Sequence, residues 1–111
     1  MRQLLLSTRA VPGAIVERLG MEETVWEDGY ARVMRLRPGR PLVAFWRHYY
    51  GSSAEMLLTP ALLPHLLDDI DGLLQDPALP PPMTAFLSGM RDLCARALRE
   101  AATVQLAVIA D

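Results

Sequence analysis

The side chains with reactive potential are few: His48 and His65, one cysteine, Cys94, and a knot of aromatic and cationic groups in FWRHYYG at residues 45 to 51. His65 and Asp69 stand four residues apart, which brings them together on a helix and would supply either two metal ligands or an ion pair. No further ligands follow at a readable spacing, so the ion pair is the expectation. Cys94 beside a histidine would make a nucleophile and its base, but it falls at helical spacing among Leu87, Met90 and Leu98, and a thiol buried there stays protonated and inert. Ser52 and Ser53 follow Gly51, yet GSS lacks the glycine that would complete a nucleophile elbow. No phosphate-cradling glycine loop occurs either. The expectation is a protein without catalysis, cofactor or metal.

Binding chemistry is better represented. FWRHYYG holds four of the chain's seven aromatic residues, and Trp, Tyr and Arg are the types that dominate protein interfaces. Trp46, Arg47, His48, Tyr49 and Tyr50 therefore form one candidate partner-binding set, with core packing as the plainer alternative. Asp68, Asp69 and Asp71 form a second: an acidic helix face that meets a basic partner, or a solvated face with no partner.

Charge is segregated along the chain. Residues 30 to 50 contain five arginines and no acid, and residues 51 to 90 contain five acids and no arginine. Such a layout steers a charged partner, unless the two segments face each other within the fold. Nucleic acid is disfavoured as a partner by the acidic pI of about 5.6 and by the absence of lysine.

These residues need elements to hold them. LLTPALLPHLLDDIDGLL reads as a helix capped by Thr59 with Pro60 in its first turn, its stripe running through Leu62, Leu63, Leu66, Leu67, Ile70, Leu73 and Leu74. Pro64 predicts an irregular first turn. QDPALPPP is a linker, and a second helix is expected from about Pro82 to Ala101, with Met83, Phe86, Leu87, Met90, Leu93, Cys94, Ala97, Leu98 and Ala101 on its apolar side. TVQLAVIAD reads as a strand with Val104, Leu106 and Val108 on one face. Gln3 to Thr8 reads as a strand, Pro12 to Leu19 as one or two helical turns, and Glu22 to Asp28 as a loop. Val33 to Arg37 and Leu42 to Tyr50 read as a hairpin about Pro38-Gly39.

The 111 residues, just over half of them hydrophobic, suit one domain, residues 1 to 111, with a single core. The fold class expected is α+β, a small antiparallel or mixed sheet covered by two amphipathic helices. No apolar run is long enough to cross a bilayer, and the three leucines after Arg2 are too few for a secretory signal. A lone cysteine suits a reducing cytoplasm.

The run AFWRHYYGSSAEMLLTPALLPHLLDDIDGLL, followed by FLSGMRDLCARAL and VQLAVIAD, resembles small bacterial immunity proteins of polymorphic or contact-delivered toxin systems. The shared features are an aromatic-rich strand ending in YG, the LLTP helix start, a second helix and a last strand ending in Asp, over roughly residues 42 to 111. The resemblance implies a stoichiometric inhibitor that occludes a cognate toxin and has no catalysis of its own. No defined functional residue carries over. From another class, the alternative is a small-molecule-binding or regulatory module, as a homodimer through its sheet edge or helix stripe.

Overall fold

The computed structural model describes residues 2–11, 14–52 and 54–110. Along them run β1 (Arg2–Thr8), β2 (Ile15–Leu19), α1 (Glu23–Val33), α2 (Pro41–Gly51), β3 (Met56–Leu58), α3 (Leu63–Leu74), α4 (Pro81–Arg99) and β4 (Val104–Ala110). The four strands make one antiparallel sheet in the order β2-β1-β4-β3. The fold is α+β, with four described helices where two were expected.

β1 and β4 pair over their whole length, Leu4 opposite Val108 and Leu6 opposite Leu106. Alternation then sends Leu4, Leu6, Val104, Leu106 and Val108 to one face. All five are buried in the core beneath the helices, where Met83, Phe86, Leu87, Met90, Leu93 and Cys94 of α4 meet them. The period read from VQLAVIA and from the α4 stripe is the one the structure uses as far as Ala97; Leu98, expected on the same side, is exposed, and Ala101 lies past the end of the helix. At the other face Leu5 lines up with Arg18, Ala107 and, through Ala107, Leu57. Leu5 and Ala107 are buried but stand outside the helix-covered core.

Three readings of the sequence are corrected. Residues 42 to 50 are helix, and so is Val33, so Pro38-Gly39 turns between α1 and α2 instead of closing a hairpin. Pro41 opens α2 as the first helical residue, where a missing N–H costs nothing. The buried set Leu42, Val43, Phe45, Trp46 and Tyr49 is spaced for a 3.6-residue period, and burial by that stripe outweighs the β propensity of its aromatics. Glu22 to Asp28 enters α1, whose buried Val25, Gly29 and Val33 recur every fourth residue. Ile15 to Leu19 is strand, pairing with β1 around a bulge; Pro12 and Ser53 lie outside the described residues.

α3 starts at Leu63, later than Thr59 and Pro60 suggested. The Thr59 carbonyl accepts from both Leu62 and Leu63 N–H groups in a preceding turn, the irregular start expected from Pro64.

Candidate functional site

The aromatic side chains form one unbroken series of ring contacts, Tyr30, Trp26, Tyr50, Tyr49, Phe45, Trp46 and Phe86, with centroids 5.1 to 6.4 Å apart. These are all seven aromatics of the chain. Edge-to-face pairs of this kind add to the burial they share. Trp46 is wholly buried; removing an indole of about 200 Å² from water is worth roughly 5 kcal/mol. Its Nε1–H donates to the Trp26 carbonyl, and the Trp26 Nε1–H donates to the Trp46 carbonyl. Tyr49, also wholly buried, accepts the Met21 N–H on its hydroxyl at 2.9 Å. The neighbouring Tyr50 hydroxyl donates to the Met21 carbonyl at 2.5 Å. Two adjacent tyrosines thus fix both backbone groups of one loop residue.

This places the candidate set of α2. Trp46 and Tyr49 have no surface to offer a partner, because the helical period turns them into the core. Tyr50 is half-buried with its hydroxyl engaged, and Arg47 is exposed. His48 is half-buried, and among the described residues neither ring nitrogen has a hydrogen-bond partner.

The acidic set divides similarly. Asp69 is buried, accepting from Arg40 Nε at 2.7 Å and from the Leu42 N–H at 3.3 Å. It does not pair with His65; the His65 carbonyl accepts from Arg40 instead. Asp71 meets Arg91 at 2.6 Å, and Asp76 meets Arg32. Asp68 is exposed, and among the described residues it enters no ion pair. Arg32 and Arg40 against Asp76 and Asp69 show that the two charged segments neutralise each other in part, across the α1–α2 and α3 elements.

The concave surface lies elsewhere. A groove of about 320 Å³ has Leu19, Val25, Pro82 and Phe86 in its walls, with Glu22 at its side. A second of about 450 Å³ lies between Tyr50 and the Met21–Glu23 segment. The two share Gly20 and Glu22, so the tyrosine-fixed Met21 stands in the strip that both flank. Neither is lined by Arg47, His48 or His65. Glu22, Glu23, Glu27 and Asp28 are exposed along this start of α1, and among the described residues none enters an ion pair. Reading Glu22 to Asp28 as loop hid this face; the four-residue spacing of Val25, Gly29 and Val33 was the signal for it.

Cys94 is buried, and desolvation pushes its thiol up to about 12. No described helix is long and apolar enough to cross a membrane. Compared with known protein families, with curated proteins and with solved structures, the chain matches none.

Proposed function

We propose that the protein is a non-catalytic binding protein of the bacterial cytoplasm that caps a cognate protein, as an immunity protein occludes its toxin. The observation that carries this reading is the set of unpaired acids beside an apolar groove at the start of α1. Glu23 and Glu27 stand four apart on that helix, where like charges repel by a few tenths of a kcal/mol. Such a cost is retained without an internal counter-ion, and a basic partner seated over Leu19, Val25 and Phe86 would supply one. Apolar walls with charge at the rim are the ordinary anatomy of a protein-binding patch. The resemblance of residues 42 to 111 to immunity proteins supports the same reading, although the aromatic segment it used as a strand is helix α2.

The test is co-expression with the product of the neighbouring gene, followed by affinity capture and a growth assay. A stoichiometric complex and rescue from a toxic neighbour are expected. Neither complex nor rescue would set the reading aside. The second reading, a small-molecule module, is favoured by the groove volumes, which lie within the range of ligand pockets. It expects a ligand that displaces no protein and protects the fold at saturating concentration.

A further inference from the structure

The series of ring contacts comes to the surface at one end. Phe45, Trp46 and Tyr49 are wholly buried, Tyr50 and Trp26 are half-buried, and Tyr30 is 38% exposed and stands outside the core. The Trp26 ring lies 5.3 Å from Tyr30 and 5.4 Å from Tyr50, edge to face with both. Three linked rings thus cross from α2 to α1, and Tyr50 is also a wall of the groove of about 450 Å³.

Carboxylates follow the same line. Glu23, Trp26, Glu27 and Tyr30 fall at positions i, i+3, i+4 and i+7 of α1, which make one stripe of a helix. Acid and ring therefore alternate along it, and Glu22 and Glu23 join Tyr50 in the groove wall. The helix dipole favours an acid in the first turn, which accounts for Glu23; Glu27 lies a turn further in, where that effect has faded. From Leu19 to Ala31 the chain holds four acids and no base. Among the described residues Glu22, Glu23 and Glu27 enter no ion pair.

We propose that this stripe is a docking surface for arginine side chains, presented by an extended segment of a partner protein. Ring faces are electronegative and attract a cation seated over them, and the neighbouring carboxylates attract the same charge. A planar guanidinium meets both demands, since it stacks flat on a ring and offers paired N–H donors to a carboxylate. An ammonium is compact and more strongly hydrated, and uses neither geometry fully. Glu23 and Glu27 stand about one helical turn apart, ~5.4 Å along the axis. Alternate residues of an extended chain are about 7 Å apart, so arginines at i and i+2 reach one acid each. The inference deepens the capping proposal, on which it rests for the existence of a protein partner, by naming the side chain that the start of α1 receives.

The test titrates the full chain with the blocked peptide acetyl-Gly-Arg-Ser-Arg-Gly-amide at low ionic strength, followed by the amide and indole resonances in NMR. Saturable shifts are expected at the Trp26 indole and along residues 22 to 30. The citrulline analogue, alike in shape but uncharged, is expected to bind at least about ten-fold more weakly, and the lysine analogue about three-fold. Glu23→Gln combined with Glu27→Gln, both at exposed positions, is expected to weaken binding about ten-fold, and Tyr30→Leu about three-fold, each with an unchanged circular dichroism spectrum. No saturable shift, equal binding of the citrulline or lysine peptide, or indifference to E23Q/E27Q overturns the proposal. The peptide stands in for the partner, so these outcomes are read without the neighbouring gene product and leave the capping function to its own test.

Discussion

Trp26 and Trp46 hold one another by the backbone: each indole N–H donates to the other's carbonyl, at 2.6 and 3.0 Å. Trp26 lies on α1 and Trp46 on α2, so the pair ties the two helices together near the loop residue Met21. Each bond keeps the other aligned. Trp46→Phe, at a wholly buried site, is expected to cost about 2 to 4 kcal/mol, and Trp26→Phe about 1 to 2 kcal/mol. The double variant is expected to fall short of the sum by about 0.5 to 1 kcal/mol, measured by urea denaturation. Strict additivity would show two independent bonds and no mutual clamp.

Gly29 sits against this pair. A Cβ there would lie 2.7 Å from Trp46 Cζ2 and 2.9 Å from Met83 Cε. The methionine end can swing away, but the indole is locked by its hydrogen bond. Gly29→Ala is therefore expected to destabilise by about 1 to 3 kcal/mol, despite alanine's better helix propensity. At Gly72, inside α3, a Cβ meets open space, and the same substitution is expected to stabilise by about 0.5 to 1 kcal/mol. Opposite signs in thermal melts check both; equal signs would contradict the packing around Trp46.

The two paired aspartates of α3 should behave differently. Asp69 is buried and holds Arg40 and the Leu42 N–H, so Arg40→Ala leaves a carboxylate short of its charged donor and is expected to cost about 2 kcal/mol. Arg91 and Asp71 are an exposed pair, and surface ion pairs contribute little. Arg91→Ala is expected to leave the denaturation midpoint where it was. A larger loss at Arg91 than at Arg40 would reverse this ranking.

Cys94 gives a pH signature. Its thiol is raised from 9.0 to about 12 by burial, so the unfolded chain loses this proton first as pH climbs. The associated stability is fully present below about pH 9 and is lost as pH rises towards about 12. At pH 8 an aromatic disulfide reagent is expected to react with native protein only as fast as the fold opens, and at once in denaturant. Rapid reaction with native protein would show an accessible thiolate.

Where burial periodicity was strong and long, the sequence was legible. The stripe of α4 and the alternation of β4 point to the core faces found in the structure. α2 was obscured because its aromatic and β-branched residues favour strands in isolation, and the start of α1 because its acids read as loop, while the contacts of both helices with α3, α4 and each other are non-local. Trp46 and Tyr49 illustrate the consequence for the site. Their residue types suit an interface, but only the helical phase, unavailable under a period-two reading, shows them turned inward. Arg40 and Asp69 are 29 residues apart in sequence, so no local pattern announces their pairing.

Titration calorimetry of the purified neighbouring gene product into the full chain tests the capping role most directly. Saturable binding of one partner per chain is expected, weakened at least about ten-fold, or ~1.4 kcal/mol, by the double reversal E22R/E23R at the groove. Arg47→Ala and Asp68→Asn, away from it, are expected to bind as the parent does. No heat of binding, or a complex indifferent to Glu22 and Glu23, would contradict the account.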